Sequence, residues 1–420
     1  MSLISRSAVG EAVSDSIKVT LAILVTIAAS VGSYAQSADH EPHSIRLLFA
    51  EPIPKKWPPN TESNNPILSD LLRSSKEPTI LLASDAARAS LLVSANKSGF
   101  GALIPLPVEG FGLHLAEGSG DTLWIGGFSK PSTSASGTQL SFAYLAKVDR
   151  QGHLSWAREF GGQSARTIQS MVSLPSGDIA VSGQDSSRTW LARISKEGSV
   201  VWERFVGLGK GSAVTAINGI IILAAVESGS SDASYREDVA AWTFNETGEL
   251  LDHRAIREGI SNDSGDRSGE IRIETAGDFI YFFSAWKSFT GPKPLEVAKL
   301  DPRAGVVWRK QLATTIIHLG NRSAHYCSTA ITVLSNGDPL IACRSKDDEI
   351  ELSRLNAKTG VASRSDVLLP PPPPHCSEFW SPVRFLKESS QTTIWFVGSP
   401  QSAGDKPCGW IGEAPMPGVE

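Results

Sequence analysis

The sequence has little that would mark a nucleic-acid-binding or membrane-spanning protein. Its 39 Lys and Arg residues are outnumbered by 44 Asp and Glu residues, which gives a formal net charge of -5, and the basic residues are spread along the chain. Binding to phosphates needs a concentrated basic surface, so we expect no nucleic-acid partner. The apolar run at residues 19–31 is shorter than the roughly 20 residues that a membrane-spanning helix needs.

The first 35 residues have the pattern of a cleaved secretory signal. Arg6 and Lys18 precede the apolar run, and Ser33 and Ala35 supply the small residues of a cleavage site. The alternative interpretation is a retained membrane anchor. We predict cleavage, with a mature chain that starts near Gln36, no stable membrane span afterwards, and a periplasmic or secreted location.

Cysteine is scarce, and all four residues lie in the last quarter of the chain: Cys327, Cys343, Cys376 and Cys408. Export would expose them to an oxidising compartment, which predicts disulfides. Cys327 and Cys343 flank a predicted hairpin turn at residues 335–337, and their midpoint is residue 335. Residues that face each other across antiparallel strands can be bridged, and Cys376–Cys408 then follows by elimination.

Recognisable metal-binding patterns are also missing. The alternative to the disulfides is a metal site built from His325, Cys327, His375 and Cys376, whose spacing matches no zinc pattern. The acidic, glycine-rich residues 262–270 carry calcium-type ligands, but not in the order of an EF-hand, and this favours a loop. We therefore predict no bound metal.

Helical periodicity is almost absent from about residue 77 onward. Strand signals bounded by turn residues recur at short, regular intervals, which predicts an all-β fold. Turn glycines also recur along the chain, and they are Gly99, Gly152, Gly198, Gly248, Gly305 and Gly360. Their period of about 50 residues fits one four-stranded blade of a β-propeller.

The repeating unit is clearest in residues 143–160 and 190–205, where an alternating strand, a glycine turn and a strand with Trp follow one another. On the first strand of the second copy, Trp190, Ala192 and Ile194 face one way, and the intervening residues face the other. We interpret these apolar side chains as packing between blades rather than as ligand contacts.

Six glycine-marked units and a truncated seventh predict a seven-bladed propeller, with six or eight blades as alternatives. The predicted domains are a signal peptide at residues 1–35, an N-terminal extension at residues 36–76 and a propeller at residues 77–420. A strand at residues 44–50 would supply the strand that the first or last unit lacks, and would close the ring by pairing its two ends.

Residues 147–156 and 299–308 resemble the repeats of bacterial exported β-propellers, which include PQQ-like repeats with a tryptophan docking motif. The turns at residues 245–248 and 356–360 are similar to the PQQ-like turn. The resemblance implies a propeller, and such repeats occur both in quinoprotein dehydrogenases and in non-catalytic scaffolds. Asp252 and Ser363 stand where the docking Trp is expected, and the chain has no vicinal cysteine pair. We therefore predict no bound quinone or other cofactor.

Polar residues that recur from unit to unit are interpreted as structural. The acidic set follows a turn glycine and comprises Asp121, Asp178, Asp278 and Asp338. The basic set lies within strands and comprises Lys147, Arg193, Lys299 and Arg354. Asp in a tight turn readily accepts hydrogen bonds from the backbone, and a basic side chain with an apolar stem suits a contact between blades. Function is expected where the units differ.

The connections between strands differ on the two faces of the predicted ring. In a four-stranded meander the first and third turns emerge on one face, and the second turn and the inter-blade link emerge on the other. The second set contains the long segments 129–141, 227–237, 257–269, 287–294 and 366–379. Variable loops on a rigid scaffold usually carry binding. The polar residues predicted to ring the channel mouth on this face, as ligand-binding candidates, are Arg166, Gln169, Glu270, Arg272, His325, Tyr326, Glu378 and Arg384.

These features predict an exported, non-catalytic β-propeller that binds a protein or glycan partner through its long-loop face. The alternative is a channel-mouth enzyme, a hydrolase or lyase, that acts on a polar or carbohydrate substrate with Glu270 or Glu378 and with His325. A PQQ-type dehydrogenase is a further alternative.

Overall fold

The structure is a computed structural model, and the chain divides into two compact units, Met1–Pro42 and His43–Glu420. The predicted signal peptide lies outside the described residues. Within the described part of the chain, no helix is long and apolar enough to cross a membrane. The described residues are 43–44, 46–52, 67–72, 79–84, 89–96, 99–105, 110–129, 132–133, 139–161, 165–207, 212–229, 236–257, 267–287, 295–312, 316–319, 322–325, 330–344, 349–368, 383–390, 393–398 and 408–416.

The described strands form six antiparallel sheets of four strands and one sheet in which a fifth, parallel strand joins four antiparallel ones, and we name the seven four-stranded units blades 1 to 7 in chain order. Blade 1 comprises Ile67–Leu72, Thr79–Ser84, Ala89–Asn96 and Gly99–Pro105, and blade 2 comprises Gly110–Glu117, Thr122–Ser129, Ala143–Asp149 and Leu154–Phe160. Blade 3 comprises Arg166–Ser173, Ile179–Asp185, Arg188–Ile194 and Val200–Val206, and blade 4 comprises Ser212–Ile217, Ile220–Gly229, Arg236–Asn245 and Leu250–Arg257. Blade 5 comprises Arg267–Ala276, Phe279–Lys287, Leu295–Asp301 and Gly305–Leu312, and blade 6 comprises Ala330–Val333, Pro339–Arg344, Glu349–Leu355 and Ala362–Leu368. Blade 7 comprises Val383–Ser390, Thr393–Gly398, Cys408–Pro415 and, from the start of the chain, Arg46–Pro52.

Two further hairpins and one short strand complete the described structure. The hairpins pair Ser132–Thr133 with Gln139–Leu140, and Ile316–Leu319 with Arg322–His325. The short strand, His43–Ser44, adds in parallel to the outer strand of blade 6. The all-β β-propeller architecture is therefore confirmed, whereas the seven-blade count of the ring stays a prediction.

The predicted ring-closing strand is present and belongs to the last blade. Arg46–Pro52 pairs antiparallel with Cys408–Pro415 and contacts the outer strand of blade 1. The opening strand of blade 1, which the sequence did not reveal, is Ile67–Leu72, within the range predicted to be an N-terminal extension. A bulge between Leu68 and Asp70 interrupts its alternation, so the period-two pattern of a strand is lost there.

The core of the protein lies between the blades. From blade 1 to blade 7, the first strand of each blade contacts the first strand of the next, which makes the first strands the innermost. Trp190, Ala192 and Ile194 are fully buried against residues of blade 2, and Leu191 packs toward blade 4. The alternation predicted for this strand is confirmed, and its large side chains fill the space between neighbouring sheets.

A tryptophan on the outer strand links one blade to the next at three boundaries. The indole Nε1 donates a hydrogen bond to a carbonyl oxygen in the third turn of the following blade, from Trp156 to Lys196 at 3.0 Å, from Trp202 to Glu246 at 2.9 Å and from Trp308 to Ala357 at 3.1 Å. The ring covers the glycine of the same turn, because a Cβ added to Gly198, Gly248 or Gly360 would lie 2.6 to 3.1 Å from it. We name this contact the docking contact.

The recurring basic side chain donates to the same carbonyl oxygen as the indole. The donor-to-oxygen distances are 3.4 Å from Lys147 to Lys196, 2.7 Å from Arg193 to Glu246 and 2.8 Å from Lys299 to Ala357. Both lone pairs of each turn carbonyl are thus used by side chains of the preceding blade. The basic set is structural at these boundaries.

In blades 3 and 6 the recurring Asp of the first turn holds the same turn residue through its backbone N–H. Asp178 accepts hydrogen bonds from Arg193 Nε at 2.8 Å and from the Lys196 backbone N–H at 3.1 Å. Asp338 accepts from Arg354 Nε at 2.9 Å and from the Ala357 backbone N–H at 2.7 Å. The carboxylate therefore fixes the turn residue whose carbonyl oxygen accepts from the preceding blade.

The hairpin that carries Cys343 is centred one residue later than predicted. Val333 pairs with Pro339 and Ala330 with Ala342, so the ladder is symmetric about residue 336 rather than 335. If it continued unchanged, residue 329 would face Cys343, and a bridge to Cys327 would need an irregularity between residues 327 and 330. Cys343 is buried, and the side chains of Cys327, Cys376 and Cys408 lie outside the described residues, so the pairing stays a prediction.

We expect Trp202→Phe to lower the free energy of unfolding by about 1 kcal/mol, because it keeps the ring over Gly248 and removes one hydrogen bond. Trp202→Ala should cost about 3–5 kcal/mol, since it also empties the packed site. Urea denaturation measures both. Equal losses for the two variants would contradict a separate contribution from the hydrogen bond.

Gly248→Ala and Gly219→Ala form a matched pair that isolates the docking contact. Both glycines have positive φ, +81° and +74°, so each substitution costs about 1 kcal/mol of backbone strain. Only at Gly248 would the new Cβ meet a ring, at 2.6 Å, whereas the nearest atom to a Cβ at Gly219 is 3.7 Å away. Thermal unfolding should show a clearly larger loss for Gly248→Ala, and similar losses would rule out close packing under Trp202.

Candidate functional site

Strand ends show that the longest connections lie on one face of the propeller, although the second connection of blade 3, residues 186–187, is itself short. Connections between first and second strands, and between third and fourth strands, are short, and the longest of them are residues 73–78 and 356–361. The other set includes the long connections 130–142, 313–329 and 369–382. The two small hairpins lie within the first two of these. We name the two sides the short-turn face and the long-loop face.

Arg166, a predicted channel-mouth residue, is held by its own blade at the long-loop face. Its Nε donates to Asp185 Oδ2 at 2.7 Å, and its Nη1 donates to Glu203 Oε2 at 3.1 Å. The guanidinium lies 5.1 Å from the ring centroid of Trp190 and 5.2 Å from that of Phe205. The side chain thus runs from the inner strand to the outer strand along the end of blade 3.

Gln169, the second predicted candidate, lies at a bulge of the first strand of blade 3 between Ile168 and Ser170. Its Oε1 accepts a hydrogen bond from Ser212 Oγ of blade 4 at 3.2 Å, and the same Ser212 Oγ lies 3.1 Å from Ser182 Oγ, from whose hydroxyl it can accept. The bulge turns Gln169 toward the boundary between the two blades. Its described contact is therefore a link between inner strands.

The structure does not bring the eight predicted residues together as one described site. Arg272 is half-buried on the first strand of blade 5 and has interaction partners. Glu270, His325 and Arg384 lie on strands whose side chains are outside the description at these positions, and Tyr326 and Glu378 lie outside the described residues. Their ligand-binding role stays a prediction.

Two clefts that the sequence did not predict open on the short-turn face, on either side of the Asn218–Gly219 turn of blade 4. The first has a volume of about 340 Å³ and lies toward blade 3, where Leu174, Pro175, Ile221 and Glu246 contribute to its walls. The second has a volume of about 290 Å³ and lies toward blade 5. Its lining residues are Ile217, Asn218, Ile220, Asp278, Asp301, Pro302 and Arg303.

The clefts follow from the length of one turn. The first turns of blades 3 and 6 span residues 174–178 and 334–338, whereas those of blades 4 and 5 consist of residues 218–219 and 277–278 alone. Asn218 accepts the left-handed φ of +50° that a two-residue hairpin turn requires. Its Nδ2 donates to Asp278 Oδ1 of blade 5 at 3.2 Å, so the two short turns are connected across the boundary. Two features of the sequence could have indicated the clefts: the two-residue turn at Asn218–Gly219, and Asp252 at the position of the docking Trp.

The electrostatics of the described residues follow from burial and turn geometry. Burial and the nearby Glu159 raise the pKa of Tyr144 above its usual range, and burial with Asp338 raises the pKa of Tyr281 to about 12. Backbone N–H groups of Ala304 and Arg303 hold the pKa of Asp301 below its usual value. Burial lowers the pKa of Lys299, and Asp338 opposes this shift. The two tyrosines therefore stay protonated and Asp301 stays ionised at neutral pH.

No protein-family model matches the chain, and no curated protein matches it. Among solved structures, the chain is similar to Kuenenia stuttgartiensis hydrazine synthase, with a TM-score of 0.51 and 10% identity over 82% of this chain and 96% of that one. A protein of unknown function from Dyadobacter fermentans DSM 18053 has a TM-score of 0.48 and 11% identity over 89% and 100% of the two chains. Drosophila plexin A, in complex with semaphorin 1b, has a TM-score of 0.47 and 8% identity over 89% and 88%. At such identities the likeness to hydrazine synthase concerns the fold alone, and it supports the β-propeller.

We expect Arg166→Ala to lower the free energy of unfolding by about 3 kcal/mol, because it removes a charge-assisted hydrogen bond to Asp185, whose side chain is 5% exposed, together with the contacts to Glu203 and Trp190. The matched control is Arg188→Ala, which removes an exposed guanidinium 4.1 Å from the Phe205 ring and should cost about 1 kcal/mol or less. Chemical denaturation measures both values. A near-zero cost for Arg166→Ala would contradict a structural role and favour the predicted ligand contact.

Proposed function

We propose that the protein is an exported, non-catalytic β-propeller that binds a protein or glycan partner through its long-loop face. The observation that carries this proposal is the difference in connection length between the faces. The long-loop face includes the connections 130–142, 313–329 and 369–382, whereas no described connection of the short-turn face is longer than residues 73–78 or 356–361. Binding segments are usually loops of this kind on a rigid scaffold.

The packing of the blades supports the same assignment. Docking contacts occupy the short-turn side of three boundaries, where the turns must keep their length and conformation for an indole and a base to reach them. The donors and acceptors of these contacts all lie on strands or short turns of the described residues, away from the long connections. The long connections can therefore differ from blade to blade without altering how the sheets pack.

The described polar residues at the proposed channel mouth favour binding over catalysis. Arg166 is engaged by Asp185 and Glu203, and Gln169 by Ser212, so each is committed to holding strands. A general acid or base needs a free, positioned group whose pKa suits proton transfer. We therefore place partner recognition in the loops rather than in these side chains.

The location and the repeat family are part of the proposal. An exported protein fits the signal-like first 35 residues, and a non-catalytic member of the bacterial exported propeller repeats fits the docking contact. A periplasmic or secreted location would also favour disulfides among the four cysteines. Mass spectrometry of the secreted protein without reduction identifies both the mature N-terminus and the cysteine pairing.

The experiment replaces residues 258–266 by a five-residue Gly-Ser linker, which has the length of the inter-blade connection 207–211, and, in a second variant, residues 130–142 by a two-residue Asn-Gly turn. Capture is measured on a glycan array and on a panel of purified exported proteins, with thermal unfolding as the folding check. We expect each replacement to weaken capture of the same ligand at least about tenfold without changing the melting temperature of the propeller core. Glu197→Ser and Lys358→Ser alter exposed short-turn residues and serve as controls that keep capture. Full capture by both shortened variants would refute the assignment, and turnover of an arrayed glycan would favour the enzyme.

A further inference from the structure

The docking contact is present between blades 3 and 4 and between blades 5 and 6. The boundary between blades 4 and 5 lacks it. The positions of the basic residue and the Trp are held by Thr243 and Asp252, which face each other across the third and fourth strands. Asp252 accepts a hydrogen bond from Arg254 of its own strand. Arg254 in turn covers the turn glycine of blade 5, because a Cβ added to Gly305 would lie 2.7 Å from its Nη1. The glycine is covered, but no Lys or Trp of blade 4 stands at the position that reaches the neighbouring carbonyl.

The acceptor at this boundary is the carbonyl group of Pro302. Pro302 stands three residues before Gly305, as Ala357 stands three residues before Gly360, and Ala357 receives both Lys299 and Trp308. Proline has no backbone N–H, so it offers nothing to the first-turn carboxylate of its blade. The equivalent Asp338 accepts just such an N–H. The third turn of blade 5 thus has the carbonyl acceptor of Pro302 but lacks a backbone N–H donor at that residue.

Asp278 is the carboxylate affected by this loss. In blades 3 and 6 the equivalent Asp accepts from an Arg of the third strand as well as from the turn N–H. Blade 5 has Lys299 instead, and its Nζ donates to Ala357 of the next blade. The described side-chain hydrogen bond of Asp278 is the one from Asn218. Asp278 is exposed, and its carboxylate can accept further hydrogen bonds of the kind that Asp178 and Asp338 receive from an Arg and a turn N–H.

The cleft of about 290 Å³ brings these groups together. Asp278 and Pro302 belong to its walls, and Ile217 and Ile220 supply apolar surface beside them. Arg303 also belongs to the wall, and its charge, together with that of Arg254 beside the cleft, helps to lower the pKa of Asp301. The remaining charge is that of Asp278. The cleft therefore combines an anionic acceptor and a carbonyl acceptor with an apolar flank.

We propose that this cleft binds a Lys or Arg side chain carried by a peptide segment of a partner protein, with an aliphatic neighbour of that residue against Ile217 and Ile220. At other boundaries the chain's own Lys147 and Lys299 donate to the equivalent carbonyl oxygen, so a cationic side chain suits this position. A cationic donor forms charge-assisted hydrogen bonds with a carboxylate, and these are the stronger kind. The surface lies on the short-turn face, so it is separate from the long-loop face of the proposed function.

The first test uses a fluorescein-labelled, terminally blocked peptide, Ser-Ile-Lys-Ile-Ser, and a matched peptide with Gln in place of Lys. Fluorescence anisotropy at physiological ionic strength is measured on the full chain, since salt at this level screens diffuse surface attraction. We expect the Lys peptide to bind with a dissociation constant of about 1 mM or lower, and the Gln peptide to bind at least about fivefold more weakly. Equal binding of the two peptides, or binding of neither, would overturn the proposal.

Variants locate the binding. Asp278→Asn should weaken binding of the Lys peptide at least about fivefold, and Asp121→Asn, at the corresponding turn position of blade 2, should leave it unchanged. An equal effect of the two variants would indicate general electrostatic attraction and would contradict the site. Capture through the long-loop face should be the same in both variants, so failure of this inference is distinguishable from failure of the proposed function.

A double variant tests whether side chains of the protein itself can occupy the cleft. Thr243→Lys combined with Asp252→Trp restores the Lys and Trp found at two other boundaries, and we expect a higher melting temperature together with loss of Lys-peptide binding. A double variant that is more stable and still binds the peptide would place the site elsewhere and overturn the proposal. If it unfolds instead, Asp278→Asn and Asp121→Asn decide the matter.

Discussion

A single carbonyl oxygen that accepts two side-chain donors from the preceding blade is the contact on which the packing of neighbouring blades depends. Trp202 and Arg193 both donate to Glu246, and the first-turn carboxylate Asp178 holds the base in place. Each hydrogen bond contributes about 1 kcal/mol, and the indole also buries its face against the turn glycine. The contact fixes the distance between sheets at one face, so the large side chains between them, such as Trp190, can pack at interior density.

This constraint divides the two faces of the propeller. A turn that must receive an indole and a base has little freedom in length, and the described connections of the short-turn face are accordingly short in each blade. Connections on the other face are not bound by it. The ring also depends on closure, and Arg46–Pro52 provides it by pairing with the last strand of the chain. A strand from one end of the chain thus completes a blade made by the other, which leaves fewer exposed sheet edges.

The period of the chain made the architecture predictable, because every blade needs the same strand alternation and the same turn. The closing strand was predictable for a related reason, since a truncated last unit requires a partner. Features that depend on local irregularities, such as bulges and turn lengths, could not be predicted. The bulge between Leu68 and Asp70 hid the first strand, and a one-residue difference in the turn moved the centre of the Cys343 hairpin to residue 336. Arg166 was predicted as a mouth residue from its place on an inner strand, but its contact with Glu203 requires the outer strand beside it.

At the boundary between blades 4 and 5, the sequence shows that the docking Trp is replaced, but only the structure shows what the loss of the docking contact leaves there. Asp252 was visible in the sequence as a departure from the pattern, yet its consequence depends on residues far away in the chain. Pro302 lacks the N–H that would engage Asp278, and Asn218 bridges to Asp278 from the shortened turn. Three departures that are separate in sequence therefore meet at one boundary. The boundaries on either side keep their docking contacts at Trp202 and Trp308, so the loss remains local, and Asp278 and Pro302 line the cleft that it leaves.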